Sequence, residues 1–409
     1  MSASLPSLAV VGASSPALVE LSQVEYLKAR TGSPAVDKIF ELALTYIQRA
    51  DEAHRAGRKV VYGGGMTDAP IIHATDTFPC VFPELGRLAG DGSVALAEDH
   101  FRIARETCSM VKATMGELLK RKPLFKRLIN YCSLCEPYNA AFEVLKEEGY
   151  DIRSVDLPYR GEGVDGGRFE SLVDFAEEEL RGLATWLGGG AFDEERLRAE
   201  VKRLNRLHAK VRRVLDLQVS NPDYIGTLET LFVWNGANHN YGVPEEYEAL
   251  LDQLVDELER FAARGVESTR VPIVWAGGRG QEFGLYKLFD DLNGYISSWT
   301  MTGLLLRDYD EALPPLRAIA RNTVLGMGGP GGSKDQLPHL EDAIRRTASK
   351  GIIFYGYFGC SFSSVNFEVL KKRFDAQGVP SLILDGSFQT GAPTGQNVTR
   401  LKAFMEMVQ

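Results

Sequence analysis

The chain is poor in the features that mark several large protein classes. Across its 409 residues no apolar run approaches the roughly 20 needed to cross a bilayer. Its first residues, MSASLPSLAVVGASSPALVELSQ, carry no basic stretch ahead of an apolar one, so no secretory signal is read there and a cytoplasmic location is expected. The six histidines are scattered and form no HExxH pair, which removes the support for a zinc hydrolase. No G-x-x-x-x-G-K-[S/T] loop occurs, although Gly332-Ser-Lys334 comes near it, and no G-x-G-x-x-G opens a helix. The chain is therefore not expected to hydrolyse ATP or to bind NAD. Positive charge is scarce: the net charge is −9, so a nucleic-acid partner is not expected. The one basic stretch, Lys120-Arg121-Lys122 to Lys126-Arg127, is short and reads as a solvated helix end.

Cysteine is sparse too, but informative. Five is an odd number, so a complete set of internal disulfides is impossible. In a cytoplasmic chain, grouped cysteines point to metal or redox chemistry instead.

With 44% apolar and 25% charged residues, the composition is that of a water-exposed globular protein long enough for two cores. Apolar positions at Ile39, Leu42, Ala43 and Ile47 predict a helix over 36–53. Short β-rich runs follow at Lys59–Tyr62, Leu128–Tyr131 and Asp151–Leu157, separated by helical patterns over 98–119 and 137–148. A charged helical stretch occupies 169–187, 193–219 and 245–264. The alternation then resumes with strands at Val271–Trp275, Gly351–Tyr355 and Gly378–Leu384, and helices over 337–350, 365–376 and 398–408. The expected fold is α/β, with two doubly wound, Rossmann-like parallel-sheet lobes. The expected division is a helical N-terminal segment (1–57), a first lobe (58–165), a helical connector (166–268) and a second lobe (269–409).

Cys108 lies in Glu106-Thr-Cys-Ser-Met-Val-Lys112, Cys132 and Cys135 in Tyr131-Cys-Ser-Leu-Cys-Glu-Pro-Tyr138, and Cys360 in Phe358-Gly-Cys-Ser-Phe362. The last two regions are strand-to-helix junctions, where doubly wound folds build their sites. The flanks resemble the superfamily of 2-hydroxyacyl-CoA dehydratases and benzoyl-CoA reductases. Cys108-Ser-Met-Val-Lys112 is similar to its "C-S-x-V-K/R" helix start. Cys135 precedes a helix and then Val155-Asp-Leu-Pro158, and Cys360 stands ahead of Gly378-Val-Pro-Ser-Leu-Ile-Leu-Asp385. Pro83-Glu84-Leu85 to Ala89-Gly90 and the tail Gly395-Gln-Asn-Val-Thr-Arg400 with Ala403-Phe-Met-Glu406 complete the likeness.

The resemblance implies that Cys108, Cys135 and Cys360 bind one [4Fe-4S] cluster with one iron left open. It prefers Cys135 to Cys132 on context, and it makes Cys80 a packed thiol or an extra ligand of a double-cubane cluster. It further implies an acyl-CoA substrate, a homologous iron–sulfur subunit as heterodimer partner, and a separate ATP-hydrolysing activator that delivers one electron at low potential to form a ketyl-type radical. An aromatic wall of Phe354, Tyr355, Tyr357, Phe358 and Phe362 around Cys360 inclines the expectation to a dearomatising reductase over a 2-hydroxyacyl-CoA dehydratase. A non-catalytic electron-relay subunit is the rival. Glu136 and Tyr138 beside Cys135 are candidates for proton delivery. Gly277, Gly278 and Gly280 form either an anion-binding turn or a simple tight turn. Gly326 to Ser333 is either a lid or a connector.

Overall fold

Strands form where short runs of β-branched and aromatic residues can be buried on both faces. Val60, Val61 and Tyr62 are buried in β1 (Lys59–Tyr62), as are all six residues of β7 (Gly351–Gly356). The remaining strands are β2 (Thr77–Cys80), β3 (Arg127–Tyr131), β4 (Asp151–Val155), β5 (Val271–Gly277), β6 (Gly294–Trp299) and β8 (Ser381–Asp385). In this computed structural model, which describes residues 23–63, 68–80, 91–132, 135–158, 164–190, 192–278, 282–299, 306–326, 332–386 and 393–409, they make two four-stranded sheets. The orders are β2-β1-β3-β4 and β6-β5-β7-β8, and every pairing is parallel. The two sheets are thus the same doubly wound unit built twice, as the repeated pattern predicts.

Two of the four edge strands, β2 and β6, are not announced by the sequence. Thr-Phe-Pro-Cys contains a proline, which weakens its strand signal; at a sheet edge the missing N–H costs no ladder bond. The helix expected over 98–119 is two helices, Asp91–Phe101 and Ser109–Lys120, parted by a loop in which Arg102 takes a φ of +56°. These two helices cross closely at Gly116, where any Cβ would run into the Ser93 carbonyl. The helix expected over 36–53 breaks at Thr45 into Pro34–Leu44 and Tyr46–Arg55.

The charged middle folds as the long helices Gly166–Gly188, Glu194–Ser220 and Pro244–Ala262. Among them runs Thr227–His239, buried along its whole length and so lacking an amphipathic signature. Asp290 of the second lobe accepts from the Thr227 amide at the start of this helix (2.9 Å) and pairs with Arg270 (2.5 Å).

One element crosses between the lobes. The helix Pro315–Val324 belongs by sequence to the second lobe, yet it packs into the core that contains Val61, Ile129 and Val155 of the first. Arg317 fastens it to the helix Gly166–Gly188 through Glu170, Asp174 and Glu177 at 2.6, 2.8 and 3.2 Å. No helix among the described residues is long and apolar enough to cross a membrane.

His208, buried in the helix Glu194–Ser220, is 3.0 Å from the Asn238 side-chain oxygen through Nε2. Burial pushes its pKa from 6.5 down to about 4. Below pH 6.5 the unfolded chain therefore takes up a proton that the folded chain refuses. Stability contributed by neutral His208 is complete above pH 6.5 and is lost as pH falls towards 4, by up to about 3 kcal/mol. Urea unfolding at a series of pH values should show this slope, and His208→Gln should remove its share.

Candidate metal centre and adjoining cavity

In each sheet the third strand in sequence lies beside the point where strand order reverses: β3 in the first lobe, β7 in the second. Each leads into a helix whose N-cap is a cysteine. Cys135 caps Glu136–Glu147 and Cys360 caps Ser361–Ala376. Cys108 caps the helix Ser109–Lys120 of the first lobe. All three cysteines therefore stand at helix N-termini, the positive ends of the helix dipoles.

The lobes meet at this point. The Ser109 amide donates to the Phe358 carbonyl at 3.1 Å, joining the residue after Cys108 to the loop before Cys360. Gly359 has a φ of +75°, and a Cβ on it would run into the Glu106 carbonyl and stand 2.8 Å from the Cys108 amide nitrogen. Only glycine fits.

Burial raises the Cys108 thiol to about 11; the Val111 and Met110 amides oppose the rise, while charge on Cys360 and Cys135 adds to it. Those amides act without making a cap hydrogen bond of ordinary geometry. Cys135 is raised as well, chiefly by burial, with the Tyr138 amide opposing and charge on Cys360 and Glu136 adding. The three sulfurs thus feel one another's charge. Left alone, such crowded thiols keep their protons, and a bound cation reverses that. Among the described residues no three His, Cys, Asp or Glu side chains converge closely enough for a single metal ion.

Supporting groups fix these sulfurs. Ser363 Oγ lies 3.2 Å from Cys360 Sγ. Lys112, fully buried one turn after Cys108, donates to the Arg105 carbonyl at 2.5 Å and pairs with Glu98 at 2.7 Å, which holds the loop entering the Cys108 helix. Tyr138 is buried, and its hydroxyl lies 2.8 Å from Thr114 on that same helix. Glu136 is exposed beside Cys135. Cys132 sits apart in its bonding: Asn130 Nδ2 reaches its sulfur at 3.6 Å, and Asn139 holds its carbonyl at 2.5 Å. Cys80 ends β2 inside the first-lobe core, and burial raises its thiol far above the ordinary value.

The expected glycine turn is already in use. Gly277 has a φ of +94°, and a Cβ there would stand 2.5 Å from the Tyr355 carbonyl. The Gly278 amide donates to Tyr355 (2.8 Å) and its carbonyl accepts from Trp275 Nε1 (3.0 Å). Both residues therefore serve close packing, while Gly280, most of the loop from Gly326 to Ser333 and the segment from Pro83 to Gly90 lie outside the described residues.

Beside Cys360 opens a cavity of about 580 Å³, walled by Tyr357 and Phe358 beyond β7 and by Asp385, Gln396 and Arg400 beyond β8. The expected aromatic wall is smaller than five residues. Phe354 packs against Phe367 and Phe374, and Tyr355 against Trp275, all within the core. The Phe362 side chain lies outside the described residues. Arg400 carries no functional signal in the sequence beyond its place in the tail motif; only the fold puts it beside Cys360.

Gly359→Ala should loosen the contact between the lobes, because its Cβ has no space and its backbone angle suits only glycine. A loss of about 2 kcal/mol or more in denaturant unfolding is expected, with Gly332→Ala, whose Cβ would meet open space, as the neutral comparison.

No curated protein matches the chain. A family model described as 2-hydroxyglutaryl-CoA dehydratase, D-component, matches residues 66–408, a span that includes all three helix-capping cysteines and the cavity. The chain belongs to the 2-hydroxyglutaryl-CoA dehydratase D-component family.

Proposed function

We propose that this chain is the iron–sulfur subunit of a dehydratase-type enzyme acting on an acyl-CoA thioester, with Cys108, Cys135 and Cys360 as ligands of one [4Fe-4S] cluster. The observation that supports the reading is that three cysteines drawn from both lobes each stand at a helix start, with the Cys108 and Cys360 loops in contact and Cys360 on the wall of a cavity. Three soft sulfurs on separate elements suit a cluster, in which each thiolate takes its own iron, better than a lone ion. Cys135 is favoured over Cys132 because it stands at a helix start, as Cys108 and Cys360 do, while Asn130 and Asn139 engage Cys132. Bound by three protein ligands, the cluster would supply one-electron chemistry and an iron able to polarise a thioester carbonyl.

The chain's own residues do the remaining work. The buried Cys108 side keeps water from the site, and the three helix ends hold negative charge on the sulfurs. Tyr357 and Phe358 offer an apolar wall to the acyl group. Glu136, exposed beside Cys135, is the group proposed to move a proton. Tyr138, with its hydroxyl on Thr114, is assigned a positioning role between the two cysteine helices. A homologous cluster-bearing subunit and a separate ATP-hydrolysing activator are the proposed partners, because this chain has no nucleotide-binding motif with which to drive a low-potential electron itself.

Tyr357 and Phe358 favour a second reading, a dearomatising acyl-CoA reductase. Supplied with partner subunit, activator and ATP, the dehydratase converts 2-hydroxyacyl-CoA esters to enoyl-CoA esters and leaves benzoyl-CoA untouched; the opposite result selects the reductase. An electron-relay subunit would show cluster spectra indifferent to either ester.

Anaerobic iron and sulfide analysis tests the ligand set. Cys108→Ser, Cys135→Ser and Cys360→Ser should each lose most of the cluster, while Cys132→Ser and Cys80→Ser retain it. Retention in Cys135→Ser with loss in Cys132→Ser would reverse the assignment of those two residues.

A further inference from the structure

The helix Gly395–Val408 begins just beyond β8 and puts Arg400 into the wall of the cavity that also contains Cys360. Arg400 is half-buried and, among the described residues, makes no hydrogen bond or ion pair. This is unusual within the chain: Arg212, Arg270 and Arg317 each hold a carboxylate. The acidic group on the same wall, Asp385, does not pair with Arg400; its carbonyl instead accepts from Asn397 Nδ2 at 2.5 Å, which ties the helix start to β8. The cap is also built: Thr394 Oγ1 accepts from the Asn397 amide at 3.1 Å. Gly386 closes the β8 end against β7, with its amide on the Gly356 carbonyl at 2.6 Å. The arginine therefore projects from a fixed wall. Gln396, one turn earlier on the same helix face, lines the same cavity and adds an uncharged donor.

A guanidinium half out of water and without a counter-charge is unfavourable unless a ligand supplies one. Its planar fork suits the two oxygens of a carboxylate or phosphate. We propose that Arg400 is the anion anchor of this cavity and holds an oxyanion of the acyl-CoA ligand, either a carboxylate on the acyl group or a phosphate of the CoA. The proposal rests on the acyl-CoA reading given above.

The test is calorimetric binding to the anaerobically prepared full-length chain, with glutaryl-CoA, butyryl-CoA and glutaryl-pantetheine as probes. Arg400→Gln, checked for unchanged iron content and unfolding midpoint, should weaken glutaryl-CoA about 10- to 100-fold. Arg400→Lys should recover only part of this, because an ammonium lacks the fork. A loss shared by the two glutaryl esters and absent for butyryl-CoA supports the anchor with a carboxylate as its partner. A loss shared by the two CoA esters and absent for glutaryl-pantetheine supports it with a phosphate. Equal affinities of variant and wild type for all three probes overturn the anchor. So does an equal loss for all three, since they share only the thioester arm. A wild-type chain that binds none of the esters, yet binds glutarate or pyrophosphate through Arg400, keeps the anchor and overturns the acyl-CoA reading. One that binds none of these five probes overturns both.

Discussion

The close approach of Gly359 to the backbone around Cys108 is the contact on which the site depends. Two similar sheets could sit side by side in many ways, and the Ser109 amide on the Phe358 carbonyl selects one. Because Gly359 has no side chain and a left-handed backbone, the loop before Cys360 lies directly on the loop before Cys108. Cys135, at the corresponding strand end of the first lobe, then falls within electrostatic reach of both. Loops separated by more than two hundred residues touch because one glycine leaves room for a backbone.

The same contact is supported from a distance. Pro315–Val324 leaves the second lobe and packs into the core of the first, while Arg317 and Arg321 bind Glu170 across the crossing. Asp290 holds the start of the buried helix Thr227–His239 from the other direction. Exposed pairs such as Arg321–Glu170 are individually weak, but the apolar burial beneath them is extensive, so the lobes share cores instead of merely touching. A site made from both lobes needs that rigidity: a hinge here would move Cys360 relative to Cys108 and Cys135.

Much of this was legible in the sequence where one local rule was in control. A central strand such as β7 is a continuous apolar run, because parallel strands are buried on both faces, and it was readable for that reason. Two of the four edge strands, β2 and β6, were not, since the first contains Pro79 and the second two serines, which dilute the apolar signal. Thr227–His239 escaped because burial on every side erases helical periodicity. The break between Phe101 and Ser109 escaped because the apolar pattern continues across it, while Lys112 and Glu98 pair through the fold. At the site, the cysteines and their helix starts could be read from flanking residues. The packing role of Gly277 and Gly278 and the burial of Phe354 and Tyr355 could not, because they depend on which face of β5 and β7 meets Phe367 and Trp275.

The two lobes are alike in topology but unequal in what they contribute. The first provides Cys108 and Cys135 together with the buried Lys112–Glu98 pair and the Tyr138–Thr114 contact, all of which restrict movement of the sulfurs. The second provides Cys360, less buried than Cys108, and the cavity walls that run on to Arg400. A duplicated fold therefore divides its features: one copy braces two cysteines within its packing, and the other borders a cavity beside the third. The division follows from burial. The helix Ser109–Lys120 is enclosed over most of its length and Cys108 is buried, whereas Gly395, Gln396 and Thr399 at the start of Gly395–Val408 are exposed on the Cys360 side. The cavity therefore lies past the ends of β7 and β8, and Arg400 stands on its wall.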